Sequence, residues 1–239
     1  GGCTQVEALI RWEHEELGLV SPGEFIPLAE CAGMIDLVSH WALEQVLQQQ
    51  VKWRLAGISV CVALNLSTRD LDSETLPHEI DARLKHYQLP PECLMIEITE
   101  STLMADLNKA VDTLAQIRSL GVKLAIDDFG TGHSSLAYLK HLPANEVKID
   151  KAFLEDLKPN EPSEYILEAS INIAKKLGYE VTVEGVETQE VLNFLVKMGV
   201  DRIQGICYAK PMRAVELEMH WHRLRPAPKM LCVNMGSHS

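Results

Sequence analysis

The sequence predicts an α/β fold, a TIM-like (β/α)8 barrel whose first strand lies ahead of Gly1. Three observations predict it. Seven short apolar runs, most of them β-branched, alternate with helix-length segments almost from end to end. No glycine-rich dinucleotide loop follows any run, which weakens the alternative of an open, doubly wound sheet. The chain has 239 residues, 46% of them hydrophobic, which is enough for one barrel-sized core. With aromatic content of only 5%, Val, Ile and Leu are expected to fill the interior.

The strand-like runs are residues 5–9, 59–66, 93–99, 122–127, 146–149, 180–183 and 202–206, bounded by Gly, Pro or polar residues. Helices are expected over 24–32 and 36–55 in the first gap, with Ser21-Pro22 as the helix start. The remaining gaps hold expected helices over 73–87, 106–120, 134–141, 163–177 and 188–198. In the segment 106–120, Leu107, Ala110, Val111, Leu114 and Ile117 repeat with a helical period, and Gly121 supplies the stop. Seven strands are one short of a closed barrel. Without an internal repeat or a low-complexity linker, residues 1–225 read as one domain and 226–239 as a C-terminal tail. Gly236-Ser237-His238-Ser239 reads as an appended remnant, and the opening Gly1-Gly2-Cys3, with no initiator Met, as the start of a piece of something longer.

Acidic residues number 34 against 22 Lys and Arg, giving a net charge of -12 and a pI near 5.2. Such a chain is a poor partner for polymeric nucleic acid, which needs a basic surface. A small phosphorylated ligand remains compatible if cations and a few local Lys or Arg residues hold it. The six cysteines, at positions 3, 31, 61, 93, 207 and 232, form no metal-ligand spacing. They read as reduced core residues of a cytoplasmic domain. No stretch has the length and apolarity of a membrane span, and no signal peptide is visible. A membrane anchor elsewhere in a parent protein stays compatible with this.

A barrel of this type places its chemistry at the C-terminal ends of the strands. There the sequence puts Glu7, with Arg11 beyond it; Asn65; Glu97, with Glu100 beyond; Asp127-Asp128; Lys148 and Asp150; Glu184, with Glu187 in the following loop; and Gln204. Singly, each has an ordinary reading as a surface residue, a cap or a turn. Jointly, they put an acid, amide or ammonium at the same end of all seven strands. Carboxylates converging on one mouth stay ionised only with cations nearby. An all-oxygen set without Cys or His suits Mg²⁺ or Mn²⁺. On an ideal strand Asp127 and Asp128 point to opposite faces, but the turn at Phe129-Gly130-Thr131-Gly132 can bring both to one side. Asp127 could then bridge two ions that clamp a phosphodiester, with Asp128 holding the second.

These residues together resemble the EAL-domain family of bacterial cyclic di-GMP phosphodiesterases. The naming motif stands as Glu7-Ala8-Leu9, followed by Ile10-Arg11-Trp12. Ser21-Pro22, Phe25-Ile26-Pro27-Leu28-Ala29-Glu30, Asn65-Leu66-Ser67 and Glu97-Ile98-Thr99-Glu100 follow in family order. Asp127-Asp128-Phe129-Gly130-Thr131-Gly132, Lys148-Ile149-Asp150, Glu184-Gly185-Val186-Glu187-Thr188, Gln204-Gly205 and Lys210-Pro211 complete the set. The resemblance implies that Glu7, Asn65, Glu97 and Asp127 bind a first metal ion, and that Asp127, Asp128 and Glu184 bind a second or its waters. Lys148, Glu184 and Glu7 would be catalytic. Arg11, Gln204 and Asp150 would contact substrate. Glu100 and Glu187 would support the loop after Asp128. The implied reaction is hydrolysis of cyclic di-GMP to linear pGpG with two Mg²⁺ or Mn²⁺ ions. Implied partners are a second copy of the chain, docked through the segment from Asp128 to about His141, and upstream sensory or GGDEF-type domains.

The sequence departs from the family pattern at His133, where a Tyr is usual, and at Ile206, where an aromatic is usual. Neither change removes an expected metal ligand. The family's usual first helix and strand, with their Gln-Pro pair, are absent. A non-catalytic cyclic di-GMP receptor is the rival reading, and a hydrolase of another phosphodiester a weaker one. Retention of the full ligand set favours the enzyme.

Overall fold

The computed structural model describes residues 4–105, 107–130, 139–157 and 161–224. The chain enters through β1 (Thr4–Ala8), then makes a small antiparallel hairpin, β2 (Trp12–His14) and β3 (Gly18–Val20). Two helices follow, α1 (Pro22–Cys31) and α2 (Ile35–Leu55), before β4 (Val60–Asn65). Next come α3 (Thr68–Asp72), α4 (Leu76–His86), β5 (Leu94–Thr99), α5 (Glu100–Ala105), α6 (Leu107–Ser119) and β6 (Lys123–Phe129). The second half runs β7 (Glu146–Ile149), α7 (Ala152–Glu155), α8 (Pro162–Lys176), β8 (Glu180–Val183), α9 (Gln189–Lys197), β9 (Arg202–Ile203) and α10 (Ala214–Leu224).

Seven strands form one sheet in the order β1-β4-β5-β6-β7-β8-β9, and every adjacent pair is parallel. This is the architecture the alternating pattern predicts. The eighth strand expected ahead of Gly1 would fall outside this sequence. Local chemistry sets the helix starts. Pro22 occupies the first turn of α1, and Glu24 reaches back to accept from the Ser21 backbone N–H at 3.3 Å. The Thr188 hydroxyl accepts from Val191 N–H at 3.3 Å to open α9. Helix α6 buries Ala110, Leu114 and Ile117 from the face its periodicity marks, with Thr113 beside them and Leu107 and Val111 half-buried at its edge.

Val, Ile and Leu fill most of the interior, as expected, but they take one face of the strands and leave the other to small and polar residues. Strand side chains alternate between two faces. Val62, Leu64, Leu94, Ile96, Ile98, Leu124, Ile126, Val147, Ile149, Val181 and Val183 lie in one apolar core with helix residues such as Leu47, Ile80, Leu114, Ile117, Leu167 and Leu195. The alternate positions hold a separate small cluster, Cys61, Ala63, Met95 and Ala125, together with buried Gln5, Glu146 and Thr182. A narrow cylinder has room for small side chains and for polar ones that pair across it, as Thr182 does with Glu146. The branched aliphatics go to the layer where helices supply volume.

Other expectations also shift. Cys61 and Cys93 are buried, but Cys31 is exposed at the end of α1 and Cys207 is half-buried, so the cysteines are not uniformly core residues. Cys3 and Cys232 lie outside the described residues. Strand β9 ends at Ile203 rather than running to 206, because the chain turns at once against the backbone of Val186. The hairpin and the short helices α3, α5 and α7 are too brief for periodicity to mark. Among the described residues no helix is long and apolar enough to cross a membrane.

Candidate active site

Period-two alternation carries the interior face upward to the C-terminal strand ends. Two ladder pairings set neighbouring site residues side by side, Asn65 opposite Glu97 and Thr99 opposite Asp127. At the centre stands Lys148, fully buried. Its ammonium lies 2.6 Å from Glu184 Oε1 and 2.9 Å from Glu97 Oε2, with Glu7 Oε2 and Asp127 Oδ1 each at 3.6 Å. Amides fasten the rim. Asn65 Nδ2 donates to Glu7 Oε1 at 2.9 Å, and Gln204 Nε2 donates to Glu7 Oε2 at 2.7 Å. The second bond joins the ends of β1 and β9, the two edge strands of the described sheet.

The acidic doublet sits on an irregularity. The pairing of β6 with β7 shifts register between Ile126 and Phe129, and Asp128 takes a left-handed backbone with φ of 54°. A bulge of this kind re-aims side chains beside active sites. The Asp128 N–H donates back to Asp127 Oδ1 at 3.0 Å. Glu100, buried at the start of α5, accepts from Gly130 N–H at 2.9 Å and so holds the turn that follows. Gly130 itself has φ of 91°, and a Cβ there would come within 2.5 Å of the Phe153 ring.

Four carboxylates around one ammonium make the electrostatics lopsided. Burial alone would lower the Lys148 ammonium, but Glu97, Glu7, Glu184 and Asp127 outweigh it and hold its pKa well above the ordinary lysine range. Glu97 is pushed well above the usual carboxylate range by complete burial and by the negative charge of Glu7, Asp127 and Glu184. Glu184 is raised to about 7, chiefly by burial, against the pull of Lys148. Burial also acts on Glu7, yet Lys148, Gln204 and Asn65 together bring it below its usual value. Asp128 is raised by burial and by the charges of Asp127 and Asp150.

The donor set fits hard cations. All the acidic donors are oxygen, and the buried Glu97 Oε1 has no hydrogen-bond partner among the described residues. As the side chains stand, the carboxylates turn on Lys148. Among the described residues no three of them close on a point that would hold an ion. Lys148 thus supplies the cation in the middle of the ring. The sequence marks this lysine as a strand-end residue but does not reveal that central place.

The other expected residues stand around this ring. Arg11, half-buried, donates to the Ile10 carbonyl at 2.8 Å. It lines a cavity of about 470 Å³ beside the mouth, shared with Asn65, Thr99, Ile26 and Trp41. Asp150 accepts from Ala152 N–H at 2.8 Å. Glu187 is exposed in the loop after β8. His133, most of the expected helix 134–141 and most of the expected dimer segment lie outside the described residues. Strand reading missed the layer below the ring, Gln5, Glu146, Thr182 and Arg202, because each reads alone as an ordinary polar residue at a strand start.

The family model for the EAL domain matches residues 1–211. The chain is an EAL domain. It is 38% identical over 218 residues to the cyclic di-GMP phosphodiesterase PA2567 of Pseudomonas aeruginosa, covering 91% of this chain and 37% of that protein. It is 39% identical to the bifunctional diguanylate cyclase/cyclic di-GMP phosphodiesterase MucR of the same organism, covering 91% of this chain and 32% of MucR. The solved structure of the PaMucR phosphodiesterase in complex with c-di-GMP superposes with a TM-score of 0.85 at 38% identity, covering 91% of this chain and 88% of that one. This EAL domain therefore spans about a third of the length of those two curated relatives.

One glycine of the EAL domain is fixed by sterics alone. Gly205 follows Gln204, and a Cβ there would collide with the Val186 backbone oxygen and nitrogen. The Val186 N–H donates to the Gln204 carbonyl at 2.9 Å, so neither segment can retreat without losing that bond. Gly205→Ala is expected to cost about 3 kcal/mol or more, as overpacking against backbone does at its worst. Denaturant melting checks this, and a midpoint equal to that of the parent chain would contradict it.

Proposed function

We propose that this EAL domain hydrolyses one phosphodiester bond of cyclic di-GMP to give linear pGpG, with two Mg²⁺ or Mn²⁺ ions. The observation that carries the reading is the ring of Glu7, Glu97, Asp127 and Glu184 around Lys148 at the barrel mouth. Similarity to proteins named cyclic di-GMP phosphodiesterases, and to the PaMucR complex, supports the substrate. Glu7, Asn65, Glu97 and Asp127 would hold one ion, and Asp127, Asp128 and Glu184 the other. When bound, the ions supply Lewis acidity and lower the pKa of a water.

The protein's own groups do the rest. Lys148 keeps its proton, so it serves as a fixed positive charge facing the phosphoryl oxygens as negative charge develops. Glu184, at the rim and next to that ammonium, is placed to orient a water and carry its proton. Arg11 and Gln204 hold the substrate from the edge-strand side, with Asp150 contacting it from the end of β7. The adjoining cavity, apolar with a few polar groups, suits a flat base. Glu100 and Glu187 keep the loop after Asp128 in place.

The relatives' greater length, and MucR's second activity, support a parent in which sensory or GGDEF-type domains precede this one. Its setting is cytoplasmic, where a nucleotide messenger is made and read. A second copy of the chain is the expected assembly partner.

Purified protein incubated with cyclic di-GMP and Mn²⁺ or Mg²⁺ is expected to release pGpG. Chelation should stop the reaction, and added Mn²⁺ should restore it. Binding of cyclic di-GMP with no pGpG under any of these metals would replace the enzyme with a receptor.

A further inference from the structure

Directly beneath the ring lies a second polar layer that the proposed chemistry does not use. Glu146 is fully buried, two residues before Lys148 on β7. Its Oε2 accepts from Arg202 Nη1 at 2.6 Å, and its Oε1 accepts from the Thr182 hydroxyl at 2.5 Å and lies 3.5 Å from Gln5 Nε2. Arg202 also reaches down to Glu180 at 2.6 Å. Each donor to Glu146 sits two positions before a residue of the ring or its rim, on the same strand or just past its end: Gln5 before Glu7, Thr182 before Glu184 and Arg202 before Gln204. The period of a strand is two, so each lower residue lies directly under its upper neighbour.

Resting on the proposed phosphodiesterase reading, we infer that Glu146 is a positioning residue for the reaction. It is the hub that gathers β1, β7, β8 and β9 and so sets where Glu7, Lys148, Glu184 and Gln204 meet. Backbone ladders join β7 to β8 and β8 to β9, but the described sheet has no ladder between β9 and β1. Across that seam the two edges are held by side chains, Gln204 to Glu7 above, with Gln5 and Arg202 converging on Glu146 below. Gln5 Nε2 also donates to Met95 Sδ at 3.0 Å, so the firm bonds to Glu146 are those of Thr182 and Arg202, and buried charge-assisted bonds of that kind fix geometry that apolar packing leaves looser. A site whose ammonium must stand between several carboxylates needs that fixity, since a misplacement of about 1 Å can cost on the order of a hundredfold in rate.

Two variants test this. Thr182→Val removes one hydroxyl without changing shape. Glu146→Gln removes the charge that Arg202 answers. Both are expected to lower kcat for cyclic di-GMP, Glu146→Gln by about tenfold or more, with KM moved by less than about threefold. A second readout needs neither metal nor turnover. In metal-free protein, Lys148 should resist acylation by acetic anhydride, measured by peptide mass spectrometry, and the variants should expose it to faster modification. Should Glu146→Gln fail to fold, as judged by circular dichroism, Thr182→Val decides alone. Folded variants with parental kcat and parental Lys148 reactivity would overturn the inference, even if their melting temperatures fell. A parental chain that makes no pGpG would instead overturn the proposed function, and Lys148 reactivity would still decide the role of Glu146.

Discussion

Asp127→Ala is expected to abolish measurable turnover, a loss of at least about 10³-fold, while leaving the fold intact. Asp127 is the one carboxylate proposed to touch both ions. Its removal would strip each of a ligand and end the clamp on the phosphodiester. The fold asks much less of it. Its carboxylate accepts from its neighbour's N–H and stands 3.6 Å from Lys148, but among the described residues it makes no hydrogen bond to a distant strand. Deleting it also relieves crowding, because its charge is one of those that push Glu97 and Asp128 upward. The metal-free variant should therefore melt at or above the parental temperature. Steady-state rates and calorimetry on the same preparation check both halves. Retained turnover would end the two-ion proposal.

Lys148→Met should act in the opposite sense on stability. Met preserves volume but removes the charge, leaving Glu97, Glu184, Glu7 and Asp127 without their shared cation. Stripping one partner from a buried ionic cluster costs about 3–5 kcal/mol. The loss should grow with pH. Glu184 already titrates at about 7 in the folded chain against an ordinary 4.5. A raised carboxylate contributes stability that is fully present below its unfolded value and is lost as pH rises through the folded one. Without Lys148 the carboxylates rise further, so the metal-free variant should approach parental stability near pH 4.5 and fall below it towards pH 8. Mn²⁺ should recover part of the melting temperature by occupying the same acids. Turnover should fall far more than substrate affinity. A variant equally stable across that pH range would contradict the central place of Lys148.

Much of this was legible in the sequence for a simple reason. Strand ends are marked by the point where β-branched runs stop, and a parallel barrel points all those ends the same way. Reading the polar residues at or near each stop finds Glu7, Asn65, Glu97, Asp127, Lys148, Glu184 and Gln204 without any coordinates. Three features escape that reading. The depth of Lys148 depends on which strands close around it. The layer of Gln5, Glu146, Thr182 and Arg202 belongs to strands far apart in sequence, and its members are recognisable only as partners. The face of the strand that the aliphatic residues take is the third, because composition counts them without saying where they point. Alternation along 60–65, where Val60, Val62 and Leu64 interleave with Cys61, Ala63 and Asn65, already carries that distinction.

The left-handed backbone of Asp128 sets durability against use. Any residue but glycine is disfavoured there, by about 1–2 kcal/mol for an ordinary side chain and less for Asp. Glycine at 128 would relax the bulge and toughen the domain slightly, yet it would delete a proposed ion ligand. A screen that rewards only resistance to heat would drift towards that glycine and discard the chemistry in passing. The left-handed backbone at Asp128 is thus a small cost to the fold that keeps a proposed ion ligand at the end of β6.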